Sequence, residues 1–285
     1  MAEAGSPVAA PQNRHPLGDN KCPKRRWRAR RHHRVDTFLL LMAAATKAKA
    51  NGYRVIRLHP ALVAGHTLSI QGTKGELIQP VLWPQSPLDS ACGACPVATA
   101  LTVLSLIRPA SLQAMSRRKS GIGAVFFEQM RDHWHTGINP DELVERVDAM
   151  GLPLKLTARF RNDPELDTFV IDNLMKGELV ALSIASFHTR RTNHWTLAVG
   201  CGGLQRGGKM EVQHLYLVDA SSSPPVFREW NAMLTLVPAK RRKQPETGPP
   251  TTERRKALNW SYSAPEWARP EIVRITSAIR FRRTD

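Results

Sequence analysis

The stretch SACGACPVATALTVLSLI, from Ser90 to Ile107, decides how this chain is organised, because a Cys-Gly-Ala-Cys run leads directly into an apolar, helix-forming segment. Proline fits the first turn of a helix, where backbone N–H groups lack intrahelical partners, so Pro96 marks the helix start. Cys92 is then predicted at or just before the N-cap, with Cys95 inside the first turn. The free N–H groups and the positive dipole at a helix start favour a thiolate over a thiol. The stretch therefore predicts a reactive cysteine.

Cysteines in this arrangement have other uses, which the sequence leaves open. Cys95 can replace Cys92 as the nucleophile, and a CxxC pair at a helix start is also the thioredoxin arrangement. No βαβ unit leads into this pair, however, and the predicted strands follow it. A zinc site needs further convergent ligands, and Cys22 with His32 and His33 lies in a basic segment. Either cysteine of the CxxC pair can also be a buried structural thiol.

The number of cysteines bears on the compartment. Four in 285 residues do not make a disulfide framework, which favours a reducing environment and hence the cytoplasm. The apolar run TFLLLMAAA, from Thr37 to Ala45, follows a basic stretch and resembles the core of a signal peptide. It is too short to span a bilayer, which needs about 20 residues. We therefore expect a cytoplasmic protein without a transmembrane segment, with export as the alternative.

The charge of the chain is strongly positive, with 41 lysines and arginines against 24 acidic residues and a formal net charge of +17. Much of the excess lies in Lys21–Arg34, and a second cluster is Lys240–Lys243. Basic segments of this kind bind nucleic acid or other anionic partners without specificity. The composition predicts a disordered basic tail over residues 1–35 and a single domain over residues 36–285. A Pro- and charge-rich linker or insertion is expected within that domain at about residues 238–257.

The pattern of apolar residues predicts helices in the first half of the domain and strands in the second. Asn139–Met150 opens with an Asn cap, a Pro and acidic residues, and Asp163–Gly177 repeats that layout. Helices followed by antiparallel strands make an α+β fold. Further helices are predicted after Cys92 and at residues 36–51, Ala124–Trp134 and Val226–Leu234, and strands at Leu179–Phe187, His194–Cys201, His214–Ser221 and Glu271–Phe281.

A thiolate nucleophile needs a base, and the base needs an acceptor that orients it. His194 heads one predicted strand and Asp219 closes another. If these strands pair as a hairpin across the glycine-rich turn CGGLQRGGK, the two residues lie near the same end of the sheet. The carboxylate then accepts from one ring nitrogen while the other faces a sulfur. Gln85, seven residues before Cys92, is a candidate side-chain amide for stabilising an oxyanion.

A glutamine, then Cys-Gly at a helix start, then His-Trp ahead of an apolar strand and Val-Asp at a strand end resemble the papain-like cysteine peptidases. Within them the sequence is most similar to the bacteriocin-processing, double-glycine-leader peptidases and their stand-alone relatives. The resemblance covers about residues 80–225. It implies a papain-like fold, with a helical half that carries Cys92 and an antiparallel sheet that carries His194 and Asp219. It also implies the roles of nucleophile, base, orienting acceptor and oxyanion donor for Cys92, His194, Asp219 and Gln85, respectively.

The sequence departs from that family at three points. Ala91 stands where an acidic residue usually precedes the cysteine, and Ala220 stands where proline usually follows the aspartate. The spacing from Gln85 to Cys92 is one residue longer than usual. The expected activity is hydrolysis of a peptide bond in a peptide or protein substrate, without a metal or cofactor. An acyltransferase of the transglutaminase type can use the same triad, and a non-enzymatic protein that binds nucleic acid or another polyanion is the other alternative.

Overall fold

A computed structural model describes residues 52–72, 74–86, 89–187, 193–238 and 257–284 of the chain. All of them belong to one compact unit that extends from Thr46 to Asp285. The predicted basic tail, the predicted helix over residues 36–51 and nearly all of the predicted linker lie outside the described residues.

The described residues form eleven strands and five α-helices, numbered here in chain order. The strands are β1 (Tyr53–Leu58), β2 (Leu62–Val63), β3 (Ser69–Gln71), β4 (Leu77–Ile78), β5 (Leu154–Phe160), β6 (Leu179–Ser186), β7 (Asn193–Arg206), β8 (Lys209–Val218), β9 (Ala232–Leu236), β10 (Trp260–Ser263) and β11 (Glu271–Arg283). The helices are α1 (Ala94–Val103), α2 (Pro109–Gln113), α3 (Ile122–Met130), α4 (Pro140–Asp148) and α5 (Leu166–Met175).

Six strands close into an antiparallel barrel, in the order β7, β6, β11, β10, β9, β8 and back to β7. β1 pairs with the second half of β7, and β5 pairs with the end of β11, so both lie outside the closed ring. The short strands β2, β3 and β4 form a separate sheet. The combination of helices with an antiparallel sheet confirms the predicted α+β class.

Bulges allow the long strands to bend. The register of β7 against β8 shifts twice, the second time between Gly202 and Gly203, and β11 shifts once against β6. A bulge bends a strand and increases its twist, and a small closed barrel requires strongly bent strands. At Gly203 an added Cβ would lie 1.9 Å from the backbone oxygen of Glu211, so glycine allows the close approach of the two strands.

The hairpin between β7 and β8 turns at Gly207 and Gly208, whose φ angles are +51° and +83°. Two successive residues in the left-handed region are typical of a type I′ turn, which matches the twist of the paired strands. From the sequence, both Gly-Gly pairs are expected in this turn. For Gly202 and Gly203 this expectation is wrong, because β7 continues to Arg206 and contains them.

The short helix predicted at Val226–Leu234 is also wrong, because residues 226–231 form bends and Ala232 begins strand β9. β9 lies between β8 and β10, with Leu234 opposite Leu215 of β8, and Leu234 is fully buried. Pairing with two neighbours and burial of alternate side chains outweigh the weak helical pattern of so short a segment. The sequence also has no recognised strand pattern at β5 or β10, although both pair with β11.

The predicted helices that fall within the described residues and the main predicted strands are confirmed. The three helical segments after α1 correspond to α3 with the 3-10 turn Arg131–His133 that follows it, α4, and α5. The predicted strands correspond to β6, to β7, which is longer than predicted, and to β8 and β11.

Helix α1 is buried along its whole length and packs against β6 and β7. Alternate residues of β6 belong to two apolar clusters: Leu179 and Ala181 pack with α1, whereas Val180 and Leu182 pack with other barrel strands and α5. Successive side chains of a strand point to opposite faces, so β6 connects the helices with the barrel. This packing brings the start of α1 close to the start of β7.

Candidate active site

Cys92 lies in the turn that leads into α1, directly before the N-cap residue. The Cys95 N–H donates to the Ala91 oxygen at 3.0 Å, so the turn is continuous with the helix. The Ser90 N–H donates to the Trp134 oxygen at 2.6 Å and holds the preceding backbone. Cys92 therefore has the position that the sequence predicts, at the positive end of a helix.

A glycine follows the cysteine because two segments approach closely there. A Cβ on Gly93 would lie 2.3 Å from Cγ2 of Ile138 and 3.5 Å from Cδ1 of Trp195. Trp195 is buried, and its Nε1 donates to the Ile138 oxygen at 3.2 Å. The turn before α1 is thus in contact with the residue that follows His194, and this contact sets the cysteine segment against β7.

His194 and Asp219 meet at one end of the β7–β8 hairpin. His194 is the second residue of β7, and Asp219 directly follows β8. His194 Nε2 lies 2.7 Å from Asp219 Oδ2. The carboxylate side chain is fully buried, whereas 24% of the histidine side chain is exposed. The structure therefore brings together the two residues that the sequence places at one end of the sheet.

The sulfur of Cys92 has hydrogen bonds with the His194 ring and with the Trp195 backbone N–H. Since His194 Nε2 faces Asp219, Nδ1 is the ring nitrogen that remains for the sulfur. Burial raises the pKa of Cys92, but the two hydrogen bonds and the His194 charge together bring it below its usual value. Burial also lowers the pKa of His194, but Asp219 and Cys92 together raise it to about 10. These opposite shifts favour a thiolate–imidazolium pair.

The Asp219 carboxylate has further hydrogen-bond donors besides His194. Ser221 donates to Oδ1 twice, from its N–H at 2.8 Å and from its Oγ at 2.7 Å. Tyr262 Oη, on β10, donates to Oδ2 at 2.7 Å. Burial raises the pKa of Asp219, but the bonds from His194, Tyr262 and Ser221 and the His194 charge together keep it below its usual value. The buried carboxylate therefore stays ionised.

A buried asparagine fixes the backbone that carries Asp219. Asn231 Oδ1 accepts the Asp219 N–H at 2.7 Å. Asn231 Nδ2 donates to the backbone oxygens of Asp219 at 2.7 Å, Ser222 at 3.3 Å and Ser223 at 3.0 Å. Asn231 is 3% exposed, so its amide pairs with backbone groups that burial would otherwise leave without a partner. The amide thereby sets the path of the chain after β8.

Gln85 lies in the segment between β4 and α1 and contacts the residue after the aspartate. Its N–H donates to the Ala220 oxygen at 2.8 Å, and its Nε2 donates to the Asp89 oxygen at 3.0 Å. The Asp89 carboxylate accepts the N–H groups of Ser86 and Ala91, both at 3.1 Å. These bonds stabilise the backbone on either side of the loop that leads to Cys92. An amide nitrogen carries two hydrogens, and the bond to Asp89 uses one of them.

The chemistry of Cys95 and Cys201 differs from that of Cys92. Burial and the nearby Asp89 raise the pKa of Cys95 to about 12, and burial raises that of Cys201 to about 11. Cys95 packs with two alanines and two tryptophans in a small apolar cluster, which is the environment of a structural thiol. All three cysteines are free. Among the described residues, no group of three or more His, Cys, Asp or Glu is placed to hold a metal ion.

Three residues that hold the site were missing from the sequence candidates: Ser221, Asn231 and Tyr262. Ser221 could have been found from the local sequence. An aspartate carboxylate in a turn commonly accepts the backbone N–H of the residue two positions later, and Ser221 has that position after Asp219. Asn231 lies in the segment wrongly predicted as a helix. Tyr262 follows Asp219 by 43 residues and reaches it only because the barrel closes, so no local pattern marks it.

No known family model matches this chain, and no curated protein matches it significantly. The described part of the chain contains no helix that is both long and apolar enough to cross a membrane. An assignment of activity therefore depends on the geometry of the site and on the motifs of the sequence.

Proposed function

We propose that this chain is a cysteine peptidase of papain-like architecture, with Cys92, His194 and Asp219 as its catalytic triad. The observation that carries the proposal is the continuous contact from the Cys92 sulfur through His194 to Asp219, with 2.7 Å between Nε2 and Oδ2. Nucleophile, base and orienting acceptor come from separate segments, at the start of α1, the start of β7 and the end of β8. A structural cysteine requires none of these partners.

In the proposed reaction the Cys92 thiolate attacks the carbonyl carbon of a peptide bond, and the π-electron pair moves onto the oxygen. The Cys92 backbone N–H and the second Nε2 hydrogen of Gln85 stabilise this oxyanion. When the intermediate collapses, the C–N bond breaks and His194 Nδ1 gives its proton to the leaving amine. Asp219 orients the ring and stabilises the imidazolium. The products of this step are a free amine and a thioester on Cys92.

Water completes the reaction by attacking the thioester while His194 Nδ1 takes its proton. The C–S bond then breaks, the carboxylic acid leaves and the thiolate–imidazolium pair is restored. A primary amine in place of water would make the same site an acyltransferase. The exposed fraction of the His194 side chain, 24%, gives either acceptor access to the ring.

The first test of the proposal is the reactivity of the thiol. We expect iodoacetamide to label Cys92 rapidly below about pH 7, where an ordinary cysteine, with a pKa of about 8.5, is mostly protonated. His194→Ala should move the midpoint of Cys92 labelling upward by about one pH unit or more. His214→Ala is the matched control, because this histidine lies on β8 and pairs with Thr235 Oγ1 at 3.1 Å. Slow labelling of Cys92, at the rate of Cys201, would overturn the proposal.

The second test is turnover. The full chain is incubated with a peptide library and a primary amine, and mass spectrometry identifies new carboxyl termini or amine adducts. We expect carboxylic acid products that are lost in Cys92→Ser and retained in Cys95→Ala, which leaves the nucleophile in place. If amine adducts formed without hydrolysis, the proposed activity would be that of an acyltransferase instead of a peptidase. Cleavage that persists in Cys92→Ser would contradict the proposed triad.

A further inference from the structure

The hydroxyl of Tyr262 and the ring of His194 share one oxygen atom of the buried carboxylate. Tyr262 Oη donates to Asp219 Oδ2 at 2.7 Å, and His194 Nε2 lies 2.7 Å from the same atom. The other oxygen, Oδ1, already accepts both bonds from Ser221. The Tyr262 ring is buried and packs edge-on against Trp267, with 5.1 Å between the ring centroids. Tyr262 is therefore a donor held in a fixed position on the carboxylate oxygen that also contacts His194.

We propose that Tyr262 is a positioning residue of this site, which acts on His194 through Asp219. The inference rests on the proposed function of the triad. The Tyr262 hydroxyl donates to Asp219 Oδ2, the oxygen that also accepts the hydrogen bond from His194. This bond fixes Oδ2 and takes up part of its negative charge. Asp219 then orients the imidazole without holding its proton too strongly. This balance matters because a base that binds its proton too tightly transfers it poorly to a leaving amine.

The hydroxyl remains a donor over the whole range in which the triad works. Burial and the adjacent Asp219 raise the pKa of Tyr262 far above its usual range. A packing role alone would be served by phenylalanine, whereas a buried hydroxyl needs a polar partner. Here that partner is the catalytic carboxylate rather than a backbone carbonyl, which links the tyrosine to the chemistry of the site.

Several titratable groups lie near the Asp219 carboxylate and its donor Tyr262. Cys92 and Cys95 face the carboxylate from the α1 segment, His194 from β7 and Tyr262 from β10, and Glu266 follows β10. Replacing Cys92 by serine removes the thiolate, so Asp219 becomes the anion that dominates the titration of His194. In the Cys92→Ser protein, a substitution at Tyr262 therefore affects the His194 titration through Asp219.

The test is an NMR titration of His194 in the full-length Cys92→Ser protein, with and without Tyr262→Phe, and with His194→Gln to assign the signal. Loss of the donor concentrates charge on Oδ2, so we expect the His194 midpoint to rise by about half to one pH unit. Tyr216→Phe is the matched control, since this buried tyrosine lies on β8 and should leave the midpoint unchanged. An unchanged or lowered midpoint in Tyr262→Phe overturns the proposal.

A second variant keeps the test decisive if Tyr262→Phe does not fold. The chain has three tyrosines, so Tyr53→Phe with Tyr216→Phe leaves Tyr262 as the single site for incorporating 3-fluorotyrosine. Fluorine makes the phenol a stronger hydrogen-bond donor while its shape is nearly kept. We expect the His194 midpoint to move in the opposite direction, downward, and a rise or an unchanged midpoint overturns the proposal.

Neither titration needs turnover, so the two proposals can fail separately. In the enzyme with Cys92 intact, Tyr262→Phe should lower kcat about tenfold with little change in KM. If wild-type Cys92 were alkylated no faster than an ordinary cysteine, both the proposed function and the role of Tyr262 would be overturned. A fast-reacting Cys92 together with an unmoved His194 midpoint would overturn the role of Tyr262 alone.

Discussion

Among single residues, Gly93 shows how tightly the turn that carries Cys92, the proposed nucleophile, is packed. A Cβ at this position would lie 2.3 Å from Ile138 Cγ2, so Gly93→Ala must displace Ile138 or the turn that carries Cys92. We expect a loss of about 1–3 kcal/mol in the free energy of unfolding, the usual cost of overpacking. Labelling of Cys92 should also slow, because the sulfur moves away from the Trp195 N–H. Urea denaturation and iodoacetamide kinetics measure the two effects.

Gly65→Ala is the control for this substitution. Its added Cβ would lie 3.5 Å from the Thr67 oxygen, which is an ordinary contact, so stability and labelling should remain close to those of the wild type. If Gly93→Ala behaved in the same way, the close approach of α1 and β7 would not set the position of the cysteine.

The amide of Asn231 should be needed for stability, because it pairs with four backbone groups after β8. In Asn231→Asp the acceptor for the Asp219 N–H is kept, but the donor side of the amide becomes an anionic oxygen that faces three backbone oxygens. We expect the free energy of unfolding at neutral pH to fall by at least about 2 kcal/mol, because buried polar groups lose their partners. The deficit relative to the wild type should shrink in acid, where a protonated carboxyl regains one donor. Urea denaturation as a function of pH measures the difference.

Asn259→Asp controls for the change of charge. Asn259 Oδ1 accepts from Arg274 Nε at 3.2 Å, and an aspartate keeps that acceptor. Its stability should stay within about 0.5 kcal/mol of the wild type. A pH-independent deficit in Asn231→Asp would contradict the role given to the amide donors.

The site residues differ in whether a local sequence pattern or a long-range contact marks them. Cys92 was predictable because helix starts are encoded locally, by Pro96 and an apolar run. His194 and Asp219 were predictable because each lies at the end of an apolar strand. Tyr262 was not, since its contact with Asp219 depends on the closure of the barrel and on β10, a strand without a clear pattern of its own.

At the scale of elements, the β7–β8 hairpin depends on glycines in two different ways. Gly203→Ala would place a Cβ 1.9 Å from the Glu211 oxygen on the partner strand, so the pairing must open. We expect a loss of about 1–3 kcal/mol in the free energy of unfolding, measured by urea denaturation. Gly208→Asn is the matched control, since asparagine tolerates the φ of +83° and nothing lies within 4 Å of the added Cβ. Equal effects of the two substitutions would contradict the bulge geometry.

Helices were predicted better than strands because their signals are local. α4 has a Pro at its start and acidic residues in its first turn, and all of these are visible in the sequence. β9 was mistaken for a helix because a strand of five residues carries little periodicity, and its stability comes from β8 and β10 on either side. The class of the fold was therefore predictable, whereas the closure of the barrel was not.

For the whole molecule, His194 and Cys92 of the proposed triad link stability to pH. His194 has a raised pKa in the folded chain. Its contribution to the free energy of unfolding is therefore complete below its unfolded pKa of about 6.5 and is lost as the pH rises through about 10. Cys92 has a lowered pKa, so its contribution is complete above its unfolded pKa of about 8.5 and is lost as the pH falls. With the proposed thiolate–imidazolium pair in the folded chain, the folded and unfolded pairs hold the same number of protons between these two unfolded values, so the two dependences offset each other.

We therefore expect this pair to add no pH dependence to the free energy of unfolding between about pH 6.5 and 8.5. In Cys92→Ala the histidine acts alone, and stability should fall as the pH rises through this window, by up to about 1.4 kcal/mol per pH unit. Cys92→Ala with His194→Gln is the control, and it should restore a flat profile in urea denaturation. A profile of Cys92→Ala as flat as that of the wild type would mean that the folded protein does not hold a thiolate–imidazolium pair.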